Sequence, residues 1–85
     1  MNRAARRAIG QYVKDRDAVL RTLDPKKVSA FFRKHNPGMP AYADTIVPEI
    51  MMHKCRLQIE TFTDAEKILS REWLLSRGYS LDLGA

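Results

Sequence analysis

The segment from residue 24 to residue 40 reads DPKKVSAFFRKHNPGMP, and it contains a helix start and the strongest break in the chain. Asp24 is a strong N-cap, and Pro25 is tolerated at the first helical position because no N–H donor is needed there. Asn36-Pro37 ends the helix that starts at Pro25, since proline disfavours helical backbone in the residue before it. These signals predict a helix over residues 25–35.

Three further helices are predicted around this segment. Apolar residues recur before Asp24 at three- and four-residue spacing, which is typical of an amphipathic helix. Pro48 fits the first turn of another helix. Thr63 and Glu66 match a capping box, and Gly78 is the expected terminator of the helix that follows. The predicted helices span residues 3–23, 25–35, 47–62 and 64–77.

The predicted fold class is all-α, because no stretch alternates apolar and polar residues for long enough to form a strand. Four helices with short connections predict a small four-helix bundle-like domain that covers residues 1–85. The segment Ala41–Thr45 is compatible with one short extra helical turn, and residues 82–85 are predicted to be a flexible tail. The expected core consists of Tyr12, Leu20, Phe31, Phe32, Ile50, Leu57, Phe62, Leu69 and Trp73.

The charge of the chain is concentrated in its first third. The 85 residues carry 15 Lys and Arg against 10 Asp and Glu, which gives a net charge of +5. Residues 1–35 hold ten basic residues against three acidic ones, and residues 36–85 hold five against seven. The net charges of the two parts are therefore +7 and −2. This asymmetry indicates a basic surface for an acidic partner.

Arginines and lysines of the first third are the leading binding candidates. Guanidinium groups grip phosphates through forked donors, and each neutralised phosphate releases counterions. The expected partner is nucleic acid, a nucleoprotein or an acidic protein surface. The other interpretation is a solvated helical face that binds nothing. The candidate residues are Arg3, Arg6, Arg7, Lys14, Lys26, Lys27, Arg33 and Lys34.

An apolar patch is the second candidate, and it represents a different class of function. Methionine suits adaptable binding faces, and so small a domain conceals little apolar surface. A protein-binding or inhibitor module, compatible with a homodimer, is therefore the alternative function. The candidate residues are Met51, Met52, Trp73 and Leu74.

The sequence offers no pattern for a metal site or for catalysis. Structural zinc needs four closely placed ligands, whereas the soft ligands here are His35, His53 and Cys55. Motifs for phosphate-binding loops, nucleophilic serines and zinc proteases are missing. We therefore predict no metal, no cofactor and no enzymatic activity. We interpret Cys55 as a small buried apolar residue and one line of the third helix as its solvent-exposed face, namely Glu49, His53, Arg56 and Glu60.

Three short stretches carry a resemblance to other proteins. They are Met52–Leu57, Ser70–Leu74 and Arg77–Tyr79, within a similar region of roughly residues 18–80. In these stretches the chain resembles small uncharacterised proteins encoded in bacteriophage and prophage genomes. The resemblance implies a phage or mobile-element origin and assigns no functional residues. With such an origin, the alternative function would be inhibition of a host factor or of a defence system.

The cysteine count and the hydropathy indicate where the protein resides. A single cysteine forms no internal disulfide, and no apolar run reaches the length of about 18 residues that a membrane span requires. The basic first ten residues are not followed by the apolar stretch of a secretory signal. We expect a cytoplasmic protein.

Overall fold

The computed structural model describes residues 2–84, and within them the chain forms four α-helices and no strand. Successive helices pack against each other, so α1 contacts α2, α2 contacts α3, and α3 contacts α4. The predicted all-α class and the small helical bundle are confirmed. The helices are α1 (Arg3–Arg21), α2 (Pro25–His35), α3 (Ile46–Gln58) and α4 (Asp64–Ser76).

Side-chain caps fix three of the four helix starts. The Asn2 side chain accepts a hydrogen bond from the first turn of α1, and Asp24 accepts from the Lys26 N–H at 3.0 Å. Thr63 and Glu66 form the complete capping box at the start of α4. Because each cap satisfies N–H groups that have no partner within the helix, the sequence located these starts correctly.

α1 ends at Arg21, two residues before the predicted end. Leu23 has a φ of 55°, in the left-handed region, and Asp24 is extended. The Thr22 N–H and hydroxyl both donate to the Val19 carbonyl, which closes the last turn. The chain must reverse before Pro25, and this reversal ends the helix earlier than its apolar pattern indicates.

α3 ends at Gln58, so the predicted extension to residue 62 is wrong. Ile59 is extended, and the Phe62 N–H donates to the Ile59 carbonyl across a turn. The turn places the Phe62 ring in the core, under the guanidinium groups of Arg21 and Arg56 at 4.4 and 5.0 Å from its centroid. Burial of this ring, a tertiary effect, outweighs the local preference for helix.

The C-terminal end of α4 follows a Schellman motif. The Tyr79 N–H donates to Leu74 O at 3.0 Å, the Gly78 N–H donates to Leu75 O, and Gly78 has a φ of 78°. This geometry confirms the predicted terminator. α4 itself ends one residue before the predicted boundary.

Two predictions about irregular segments have different outcomes. Residues 41–45 contain bends and no helical turn, and the Asp44 carboxylate accepts a hydrogen bond from the Ile46 N–H just after them. Residues 82–84 lie outside the helices and are exposed. The last residue of the predicted tail, at position 85, falls outside the described residues.

The core is smaller than predicted and differs in membership. Leu20 and Phe62 are buried as expected, whereas Leu69 faces solvent with 46% of its surface exposed. The remaining predicted core residues, Tyr12, Phe31, Phe32, Ile50, Leu57 and Trp73, are half-buried. The buried apolar residues that form the core are Leu20, Val28, Met52, Phe62 and Leu74.

Candidate functional site

The first half of α1 is not packed against the rest of the protein. Residues 6–11 are all exposed, and the first buried residue of the helix is Asp17. Rings of α2 reach only as far as Tyr12, which lies 5.6 Å from Phe31 and 5.0 Å from His35 between ring centroids. This segment therefore presents its side chains to solvent on every side.

Three cations lie in one line along α1. Arg3, Arg7 and Lys14 are spaced at i, i+4 and i+11, so they share a face of the helix over about 16 Å. Arg6 lies beside this line. No carboxylate occurs between residues 2 and 14, since Asp15 is the first acidic residue of the chain. We call Arg3, Arg7 and Lys14 the α1 stripe.

The four predicted cations of α2 form two separate pairs. Lys26 and Arg33 are seven residues apart and line a cleft beside the 42–45 segment. Lys27 and Lys34 have the same spacing but lie about 100° further around the helix. The structure therefore divides the eight predicted cations into the α1 region and two α2 flanks.

None of these eight cations is neutralised by a carboxylate of residues 2–84. All eight are exposed. Among residues 2–84, the ion pairs are Arg16–Asp17 at 3.0 Å and Arg21–Glu66 at 2.8 Å, and neither includes a predicted binding residue. Their charges are therefore available to a partner.

The prediction of a solvent-exposed face on α3 is wrong for two of its four residues. His53 and Arg56 are buried. Arg56 donates from Nε to Ser70 Oγ at 2.7 Å, from Nη1 to Leu20 O at 3.1 Å and from Nη2 to Glu66 O at 3.2 Å. These bonds satisfy the guanidinium inside the protein and connect α3 to α1 and α4. A sequence signal existed, because Arg56 follows Met52 by four residues, on the buried side of the helix.

His53 completes a buried polar cluster with Arg56 and Ser70. His53 Nδ1 lies 2.9 Å from Ser70 Oγ. The His53 ring stacks on the Trp73 ring, with 4.3 Å between their centroids. Ser70 Oγ also accepts from Arg56, and the direction of its bond with His53 Nδ1 follows from the tautomer of the ring. Burial, together with the nearby charges of Arg56 and Arg77, lowers the pKa of His53 to about 4.

This cluster contains a serine and a histidine but does not form an accessible catalytic pair. A nucleophile must reach its substrate, and Ser70 has no exposed surface. Its oxygen is also occupied by the Arg56 donor. The cluster therefore stabilises the packing of α3 on α4.

The four predicted apolar contact residues do not form one patch. Met52 and Leu74 are fully buried, and Trp73 is half-buried between His53 and the Arg77 guanidinium, which lies 4.2 Å from its ring centroid. Met51 is 41% exposed and lines a separate cleft. Met52 and Leu74 are core residues because the packing of α3 on α4 buries them.

A different apolar surface lies on the outer side of α4. Ile68 and Leu75 are 53% and 56% exposed and are seven residues apart, so they share one face. Leu69 is exposed beside them. Sequence reasoning missed this face because α4 has apolar residues on both sides, and only the packing shows which side is covered.

The described part of the chain holds neither a metal-binding cluster nor a membrane-spanning helix. Between residues 2 and 84 no three His, Cys, Asp or Glu side chains lie close enough to hold a metal ion, and no helix there is long and apolar enough to cross a membrane. Comparisons with models of protein families, with curated proteins and with solved structures give no match. The resemblance to phage-encoded proteins therefore stays a prediction.

Proposed function

We propose that the protein is a non-enzymatic binding module that contacts nucleic acid through the α1 stripe. The observation that supports this best is that the stretch from residue 2 to residue 14 carries four cations, all exposed, and no carboxylate. Electrostatic contact with phosphates provides most of non-specific nucleic-acid affinity. The proposed contact residues are the α1 stripe, Arg3, Arg7 and Lys14, together with Arg6 beside it.

Stability does not explain these arginines. Cations near a helix N-terminus oppose the helix dipole, and the first turn of α1 contains no acidic residue that would offset them. The residues also contribute no packing, because their part of α1 is exposed. A role in binding accounts for charges that folding does not require.

An arginine-rich linear stripe favours phosphates over an acidic protein surface. Arginine presents forked donors that match phosphate geometry, and three of the four candidate contacts are arginines. Contacts to phosphates carry no direct sequence information, so we expect weak sequence preference.

Titration against labelled nucleic acid tests the proposal. We expect duplex DNA to bind with an affinity that falls roughly 40- to 150-fold between about 50 and 200 mM salt, as three to four phosphate contacts predict. Fluorescence anisotropy measures this directly. Polyglutamate of equal charge serves as the competitor.

Two results would contradict the proposal. An affinity no better than millimolar at low salt would exclude nucleic acid as the partner. Displacement of DNA by equimolar polyglutamate would indicate an acidic protein partner instead.

We propose a protein contact through the outer face of α4 as a second candidate function. Exposed large apolar residues on one helix face, Ile68 and Leu75, support it. If this face pairs two copies, light scattering after size exclusion gives a dimer mass that Leu75→Glu converts to a monomer mass. A monomer mass for the wild-type chain at every concentration would exclude the homodimer.

A further inference from the structure

An apolar chamber lies between α2, α3 and the segment that connects them. Its volume is about 240 Å³. Val28 and Phe32 of α2 face Met51, Met52 and Cys55 of α3 across it. The walls offer almost no hydrogen-bond partners, so the chamber favours an apolar ligand group.

A second cavity of about 210 Å³ adjoins this chamber and is lined in part by charged side chains. The two cavities share Ser29, Tyr42 and Pro48 as wall residues, so they lie side by side in the cleft between α2 and residues 42–48. Lys26 and Arg33 line only the second cavity. Together the cavities reach the size of small-molecule sites, which is roughly 300–1,000 Å³. We call the two parts the apolar chamber and the basic mouth.

The basic mouth keeps a net positive charge. Lys26 and Arg33 form no ion pair with any carboxylate of residues 2–84. Asp44 also lines this cavity, and its carboxylate accepts the Ile46 N–H at 3.0 Å. Two cations against one carboxylate leave one positive charge beside an apolar cavity.

We propose that this cleft binds a small anionic amphiphile, a medium-chain carboxylate such as decanoate. The acyl chain occupies the apolar chamber, and the carboxylate lies between Lys26 and Arg33. A fully polar anion would leave the chamber unfilled, and a neutral lipid would not use the two cations. This inference is independent of nucleic-acid binding, since neither Lys26 nor Arg33 belongs to the α1 stripe.

Cys55 provides a probe that reports occupancy of the chamber itself. It is the single cysteine of the chain, and it is half-buried in the chamber wall. Burial raises the pKa of its thiol, so the alkylation rate is followed at mildly alkaline pH. We expect decanoate below its micelle concentration to slow alkylation of Cys55 in a saturable manner. Acetate at the same concentration has the charge without the chain and should not protect.

A pair of double variants tests the basic mouth. Lys26→Gln with Arg33→Gln should raise the decanoate concentration for half-maximal protection by about tenfold, because the charged hydrogen-bond donors are lost. Lys27→Gln with Lys34→Gln removes the same charge from the other flank of α2 and should leave that concentration unchanged. All four positions are exposed, so both variants are expected to fold.

Three results would overturn the inference. Decanoate could fail to protect Cys55, acetate could protect it equally well, or the two double variants could weaken protection to the same extent. Either of the first two results would exclude the apolar chamber as the site of the acyl chain. The third would show that the double variants weaken protection only through their lower net charge.

Discussion

Arg56 is the residue on which the packing of three helices depends. It donates from α3 to the Leu20 carbonyl at the end of α1 and to Glu66 and Ser70 of α4. No carboxylate in the described part of the chain forms an ion pair with Arg56, and burial lowers the pKa of its guanidinium. Its three neutral acceptors therefore replace the water that it loses on folding.

Replacement of Arg56 by methionine should destabilise the protein strongly. Arg56→Met keeps much of the apolar stem but leaves Ser70 and the Leu20 carbonyl without their donor, at a cost of about 2–4 kcal/mol. Arg71→Met, on the exposed side of α4, is the control and should change stability by less than about 0.5 kcal/mol. Urea unfolding measures both. Equal effects of the two substitutions would contradict the role of Arg56.

His53 makes stability depend on pH between its two pKa values. The unfolded chain binds a proton near 6.5, whereas the buried ring of the folded chain does so only near 4. Stability is therefore highest above the unfolded value and falls as the pH decreases from 6.5 to 4, by a total of about 3 kcal/mol. Ring protonation followed by NMR, together with unfolding at several pH values, measures this loss. A folded His53 that titrates near 6.5 would contradict it.

Residue-scale features were the hardest to predict from the sequence. Polar residues on a helix normally face solvent, and this rule misplaced His53 and Arg56 because their hydrogen-bond partners come from other helices. Ser70 lies on α4, 14 residues beyond Arg56, and no local pattern links the two. A buried polar network of this kind is a tertiary property.

At the scale of elements, helix starts were predictable and helix ends were less so. Asp24 and Thr63 cap α2 and α4 through groups two or three residues away, and such local contacts are visible in the sequence. The end of α3 depends instead on where Phe62 finds the core. The Gly78 end of α4 was predictable because its motif is also local.

The α1–α2 connection contains a backbone strain that glycine should relieve. Leu23 has a φ of 55°, in the left-handed region. This conformation costs a residue with a Cβ roughly 1–2 kcal/mol. We expect Leu23→Gly to be more stable than Leu23→Ala by about 1 kcal/mol, since both lose the same side-chain contacts. Thermal unfolding compares the two variants. A more stable alanine variant would show that Leu23 leaves this conformation in solution.

At the scale of the whole molecule, charge and apolar surface occupy different regions. The α1 stripe projects from the bundle, the basic mouth opens beside α2, and the outer face of α4 exposes Ile68 and Leu75. The sequence predicted the charge asymmetry, because that follows from composition alone. It did not predict the division of the cations, which depends on how α2 packs between α1 and α3.

The salt dependence of DNA binding by matched charge variants tests the central claim most directly. Arg3→Gln, Arg7→Gln and Lys14→Gln together remove the α1 stripe with little change in helix propensity. Lys27→Gln, Lys34→Gln and Arg71→Gln remove the same charge elsewhere. We expect the first triple variant to reduce the slope of log affinity against log salt by about three, and the second to leave it nearly unchanged. Equal slopes for the two triple variants would show that net charge, and not the α1 stripe, holds the DNA.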